Sequence, residues 1–257
     1  MFKVTPVAAL KDNYVWLIQQ DAEKRVAIVD PGDAAPVLTT LKETGLDPEA
    51  ILITHHHWDH VNGIQALVDH YTIPVYGPDT ESFHGKTNGL TEGDEVKLTA
   101  LNASFTIFDV PGHTAGAIAY YGHGMLFSGD TLFTAGCGRL FEGTAEQMYL
   151  SLSKLAELPN DTKLYCGHEY TLSNLRFAQM VEPGNTDIKT RIQTTQRLRE
   201  NGLPTVPGIM ATELLTNPFL RTDVPEVIAA AESYAGKPLS GAVEVFGAIR
   251  AWKDSSR

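Results

Sequence analysis

One stretch, Thr54-His55-His56-His57-Trp58-Asp59-His60, constrains this chain more than any other. The apolar run Ile51-Leu52-Ile53 before it reads as a buried strand. After it, Val61, Ile64, Leu67 and Val68 have the three- and four-residue spacing of a helix. Neither regular geometry converges the intervening side chains. A helix puts His55 and Asp59 on one face and His57 on the other. A strand aligns His55, His57 and Asp59 but turns His60 away. A tight turn can aim His55 and His57 at one point and Asp59 and His60 at a second point beside it. The economical reading is two metal ions. A histidine-rich surface tract is the alternative, but such tracts do not begin on a buried strand and end on an amphipathic helix. His56 and Trp58 alternate with the ligand candidates and are expected to point away from them.

Three later β-rich runs end with related punctuation. Phe105–Val110 leads into Pro111-Gly112-His113-Thr114, Gly124–Ser128 into Gly129-Asp130-Thr131, and Lys163–Cys166 into Gly167-His168-Glu169-Tyr170. Glycine permits the sharp turn a crowded site needs, and loops at strand ends are where ligands sit. Singly, His113, Asp130 and His168 have ordinary structural readings; four strand ends sharing one pattern are harder to dismiss. His55, His57 and His113 can supply one ion, Asp59, His60 and His168 the second, with Asp130 bridging. Imidazole and carboxylate without thiolate suit Zn, Fe or Mn, and Cys166 is expected to point into the core. Ions that keep room for solvent mark a catalytic site. Two ions about 3.5–4 Å apart lower the pKa of a shared water from about 15.7 towards 7 and polarise a carbonyl. The expected reaction is hydrolysis of an acyl compound. Asp30, Asn13 and Tyr14 are candidates to support the site from behind.

The remaining texture is α/β for about two thirds of the 257 residues. Strands are expected at Phe2–Val7, Tyr14–Gln19, Arg25–Asp30 and Thr72–Tyr76, with Pro78 in a loop and a helix from Val37 to Thr44 stopped by Gly45. Thr144-Ala145-Glu146-Gln147 matches a capping box before a packed helix carrying Met148, Leu152 and Leu155. After Tyr170, helices are expected at Leu172–Val181, Asp187–Glu200 and Pro225–Ala235. The boundary falls near residue 168, giving a catalytic domain over 1–168 and a smaller helical domain over 169–257. A net charge of -11 argues against nucleic acid or an anionic membrane as partner. Two cysteines, no signal-like start and no long apolar run point to the cytoplasm.

The pattern His55-x-His57-x-Asp59-His60 with His113, Asp130 and His168 resembles the metallo-β-lactamase superfamily, which implies an αββα sandwich. The narrower resemblance is to the glyoxalase II, or hydroxyacylglutathione hydrolase, family. It rests on Gly136-Cys137-Gly138-Arg139-Leu140-Phe141-Glu142-Gly143-Thr144, Gly167-His168-Glu169-Tyr170-Thr171, Asn217-Pro218-Phe219-Leu220-Arg221 and Arg250-Ala251-Trp252-Lys253. It implies cleavage of S-(2-hydroxyacyl)glutathione, typically S-D-lactoylglutathione, to glutathione and D-lactate, the second step of methylglyoxal detoxification. Asp59 and Asp130 would be catalytic, two divalent ions (Zn before Fe or Mn) the cofactors, and Arg139, Phe141, Tyr170, Arg250 and Lys253 the glutathione-binding residues. Phe141 stands where some members have tyrosine, so a hydroxyl contact is lost there. An anionic thioester on an acidic chain needs such a local cationic clamp. The only partner expected is that small molecule, acted on by a monomer. The competing readings are a lactonase or other thioesterase of the superfamily, or a metal-binding protein without turnover.

Overall fold

Residues 1–20 and 24–256 are described by the computed structural model, so Arg257 at the end of the expected helical domain lies outside them. The chain opens with an antiparallel pair, β1 (Phe2–Ala9) and β2 (Asn13–Gln20), and β3 (Arg25–Val29) runs antiparallel to β2. Helix α1 (Ala34–Thr44) begins three residues earlier than expected. Asp33 caps it by accepting from the Ala35 amide, and its first turn tolerates Pro36. Gly45, at φ 67°, ends it. Then come β4 (Asp47–Leu52), the histidine turn, α2 (Trp58–Val61), α3 (Ile64–His70), β5 (Val75–Pro78) and β6 (Asn88–Leu90). The single helix expected after the turn is thus two. They break at Asn62-Gly63, where the Gly63 amide donates to the Pro31 carbonyl at 2.8 Å. Pro78 ends β5 instead of lying beyond it, paired with Leu90.

These strands form one sheet in the order β1-β2-β3-β4-β5-β6, and β3 to β6 are mutually parallel. Parallel neighbours deliver the residues after β3, β4 and β5 to the same edge. One face of the sheet is covered by helices: Val15, Leu17, Val26, Ile28, Ile51 and Ile53 pack with Val37 and Leu41 of α1 and Ile64 and Leu67 of α3. Each such side chain contributes about 1.5–3 kcal/mol by leaving water.

The second sheet is built from β7 (Glu95–Leu98), β8 (Ala103–Asp109), β9 (Ile118–Gly122) and β10 (Met125–Gly129), antiparallel throughout. A short hairpin follows, β11 (Leu132–Phe133) with β12 (Gly136–Cys137), then α4 (Ala145–Ala156) and β13 (Lys163–Cys166). The end of β13 lies beside the end of β10, with the Gly167 amide donating to the Gly129 carbonyl at 3.0 Å. The two sheets face each other. The Trp16 indole donates to the Cys166 carbonyl at 3.0 Å and the Tyr120 hydroxyl to the Ile53 carbonyl at 2.9 Å. Cys166 is buried, as expected.

Two compact units result. Met1–Asp109, Thr114–Gly129 and Tyr165–His168 make the first; Val110–His113, Asp130–Leu164 and Glu169–Arg257 make the second. In the second unit α4 carries both bonds of its capping box and buries Met148, Leu152 and Leu155. Helices α5 (Thr171–Val181), α6 (Thr186–Glu200), α7 (Met210–Thr216), α8 (Pro225–Ala235) and α9 (Ala242–Ser255) follow, with a two-residue strand β14 (Gly208–Ile209) before α7. No helix among the described residues is long and apolar enough to cross a membrane.

Glu213 on α7 is fully buried in this unit, accepting from the Ala135 amide at 2.6 Å and from the Arg191 guanidinium of α6. Removing the cation leaves a buried carboxylate without its counter-charge, which costs far more than the pair contributes. Arg191→Met should therefore lower stability by about 3–5 kcal/mol, read as the shift of a urea denaturation midpoint.

Candidate metal centre

The edge formed by the ends of β3, β4 and β5 carries the first half of the site. Asp30, directly after β3, is buried and accepts three hydrogen bonds on its carboxylate. They come from the Thr54 amide at 2.8 Å, the Thr54 hydroxyl at 2.7 Å and His60 Nδ1 at 3.0 Å. The Thr54 hydroxyl proton is thereby committed, so His55 Nδ1, at 3.0 Å from Thr54 Oγ1, is the donor in that contact. His168 Nδ1 donates to Asp12 Oδ1 at 2.8 Å. In the second unit His113 Nδ1 donates to the Arg139 carbonyl at 2.9 Å. Ionised carboxylates and carbonyls only accept, so each of these four imidazoles carries its proton on Nδ1. In its neutral form each such ring presents a lone pair at Nε2. An orienting acceptor on one ring nitrogen is how metal-ligating histidines are held.

The Nε2 atoms of three of these rings face carboxylates. In the first unit His168 Nε2 lies 3.4 Å and His60 Nε2 3.7 Å from Asp59 Oδ2. In the second unit His113 Nε2 lies 3.5 Å from Asp130 Oδ2. Donors about 2.0–2.2 Å from one cation stand at such separations from each other. The Asp59, His60 and His168 ligand atoms all fall within 4.8 Å of one another. Beside this group, the His55 ring centroid is 4.2 Å from that of His60 and 4.8 Å from that of His57. The donor set therefore fits a metal: buried imidazoles, carboxylates and no thiolate. Backbone packing fixes Asp59. Gly32 lies against it so closely that a Cβ there would sit 1.7 Å from the Asp59 carbonyl oxygen. Asn13 Nδ2 donates to Asp59 Oδ2 at 3.0 Å and to its carbonyl at 3.2 Å.

Of the residues singled out in the sequence, Trp58 is exposed, pointing outwards as expected. Asp30 bonds His60 and Asn13 bonds Asp59, so both touch candidate ligands directly. Asp12 was not foreseen: it is a lone acid in the turn between β1 and β2, and its partner lies 156 residues away.

The cationic residues gather in the second unit. Arg250 on α9 is buried, and its Nη1 donates to the Cys137 carbonyl at 2.8 Å. Its Nη2 pairs with Asp254 at 3.1 Å, and Arg139 Nε lies 3.5 Å from the same carboxylate oxygen. Lys253 donates to Asn174 Oδ1 and stands 5.7 Å above the Phe219 ring. Phe141 is 62% exposed with its ring 5.2 Å from His113, and Tyr170 packs edge-on to Phe133 at 5.3 Å. Asp254 and Asn174 carry no local signal that marks them as members of this cluster. Burial, and secondarily the Arg250 charge, push the Lys253 ammonium down from 10.5 to about 7.

Two outcomes follow from these contacts. Asp12→Ala removes the acceptor that orients His168 and should weaken metal retention by about 10–100-fold, measured by chelator competition. Lys253 binds its proton less tightly folded than unfolded, so between pH of about 7 and 10.5 the unfolded chain holds more protons. Stability should rise with pH across that window, and Lys253→Met should flatten the rise in thermal melts recorded against pH.

Comparison with known proteins gives the family. Residues 10–168 match the metallo-beta-lactamase superfamily and residues 169–256 the hydroxyacylglutathione hydrolase C-terminus. A hydroxyacylglutathione hydrolase of Nitrosomonas eutropha is 50% identical over 256 residues, spanning 99% of each chain. One of Alkalilimnicola ehrlichii is 51% identical over 256 residues, spanning 100% of each. The crystal structure of the BLEG-1 B3 metallo-beta-lactamase aligns with a TM-score of 0.63 at 26% identity, over 86% of this chain and 99% of that one. Sequence and fold thus place the chain in the metallo-beta-lactamase superfamily, with its αββα sandwich, and within it in the hydroxyacylglutathione hydrolase family.

Proposed function

We propose that this chain hydrolyses S-(2-hydroxyacyl)glutathione thioesters, typically S-D-lactoylglutathione, to glutathione and D-lactate, the second step of methylglyoxal detoxification. The observation that carries the reading is the set of imidazoles locked at Nδ1, whose Nε2 atoms face Asp59 and Asp130. The substrate class comes from relatives about half identical along the whole chain. His55, His57 and His113 would hold one divalent ion, Asp59, His60 and His168 a second, and Asp130 both. Zn is the first choice, with Fe or Mn admitted by the same donors. Bound there, such ions lower the pKa of water towards about 7 and polarise a carbonyl.

The chain's own residues do the rest. Asp59, held by Asn13, orients the attacking water. The thiol released has an ordinary pKa of about 8.5, so it leaves as thiolate without a strong general acid. Residues 1–168 form the metal-holding domain in this reading, and 169–257 the glutathione-binding domain together with the loop around Arg139. Arg139 and Lys253 offer charge to the carboxylates of glutathione. Arg250 acts from behind by holding the loop at Cys137, and Phe141 and Tyr170 flank the thioester. Buried thiols at Cys137 and Cys166 fit a reducing compartment, so the proposed setting is the cytoplasm, with the chain acting as a monomer.

Elemental analysis of the purified protein should give two metal equivalents per chain alongside S-D-lactoylglutathione hydrolysis. Arg139→Ala combined with Lys253→Ala should raise KM for that thioester about tenfold or more, as expected for lost charge-assisted contacts, and spare a small neutral ester. Equal effects on both substrates would favour a lactonase or another thioesterase.

A further inference from the structure

Glu81 lies in the loop after β5, outside every motif considered above, yet it is buried and fully engaged. Its Oε2 accepts from the His56 amide at 2.6 Å and faces His56 Nδ1 at 2.9 Å. Its Oε1 accepts from the Thr114 hydroxyl and from the Gly116 amide at 3.0 Å. His56 sits between two ligand candidates, His55 and His57, and Thr114 follows a third, His113. A single carboxylate therefore ties the segment bearing two histidines to the segment that continues from another.

The loop that presents Glu81 is itself braced. Lys86 Nζ donates to the carbonyls of Pro78 at 2.8 Å, Asp79 at 3.0 Å and Glu81 at 2.6 Å. The same ammonium stands 5.6 Å above the Phe83 ring. On the other side Gly116 makes room: a Cβ there would lie 2.2 Å from Thr80 Oγ1 and 2.7 Å from Glu81 Cγ. Four donors converge on two oxygens, and only an ionised acid accepts at both. An amide would turn a donor against two of them, at least one a backbone N–H.

We propose that Glu81 is a positioning residue of the metal centre, a carboxylate brace that sets the spacing of the His55/His57 turn relative to the segment following His113. This rests on the reading of that turn as metal-holding, so the wild-type protein is measured first. Wild type that binds none of zinc, iron or manganese would overturn both. Given a zinc-loaded wild type, Glu81→Gln should hold zinc about 10-fold more weakly in chelator competition, near the low end for residues behind the ligands. Its kcat for S-D-lactoylglutathione should fall while KM stays within about twofold, because the glutathione-binding residues are untouched. A Glu81→Gln protein with wild-type zinc affinity and kcat overturns the proposal, even if its melting temperature drops. If Glu81→Gln does not fold, Thr114→Val and Thr114→Ser decide. Valine deletes one donor and should weaken zinc by about threefold, a hydrogen bond's net worth, while serine restores the wild-type value. Equal zinc affinity in the valine and serine variants overturns it.

Discussion

The site depends on one geometric constraint, the parallel run of β3, β4 and β5. Parallel strands end together, so the residues leaving them must share one edge of the sheet. Asp30, the histidine turn and the Glu81 loop are what this chain places there. Asp30 makes the arrangement specific. Its backbone is held at φ 51°, a left-handed conformation uncommon for any residue with a Cβ. Its buried carboxylate would be costly without donors, and Thr54 and His60 supply three hydrogen bonds to it. The strand end, the histidine turn and α2 are therefore tied together by a single anion. The same anion sets which nitrogen of His60 faces Asp59.

The histidine turn was legible because its signal is local. Ligand types, spacing and flanking apolar periodicity all lie within about twenty residues. The later strand ends were legible through a repeated order of β-rich run, glycine, then His or Asp. The acids behind the ligands were legible only where they abut a strong turn signal, as Asp30 does in Asp30-Pro31-Gly32-Asp33. Asp12 and Glu81 sit in polar loops that look like any solvated turn. Their partners are 156, 25 and 33 residues away, distances at which a single sequence carries no pattern. Element boundaries shifted for equally physical reasons. Asp33 supplies a cap that starts α1 early, and the close approach of Gly63 to Pro31 breaks the helix that continuous spacing implied. The seven-residue α7 has neither a side-chain cap nor enough length for periodicity to show.

In the second unit the sequence indicated the cations but not their partition of labour. Arg250 and Lys253 are three apart on α9 and so share a face. Yet Arg250 turns inward to backbone carbonyls while Lys253 lodges between aromatic rings and Asn174. Asp254 answers both Arg139 and Arg250. That carboxylate lowers the cost of crowding guanidinium groups, and it also tempers the field an anionic ligand would meet. The lowered proton affinity of Lys253 shows that burial and its cationic neighbour outweigh this one acid.

These two solutions share a logic. Catalytic metal sites need ligands that are aimed but not enclosed, since a closed set of donors leaves no position for solvent or substrate. Regular helices and strands aim side chains along fixed periods, and the candidate ligand run instead passes from a turn at His55 and His57 into the short helix α2 at Asp59 and His60. A turn alone is too soft to hold an aim, because short loops expose backbone groups and open easily. The structure resolves the conflict by anchoring the turn at its polar atoms: Thr54 and His60 on Asp30, His56 on Glu81, Asp59 on Asn13. Stiffness is thereby supplied by buried polar side chains behind the candidate ligands.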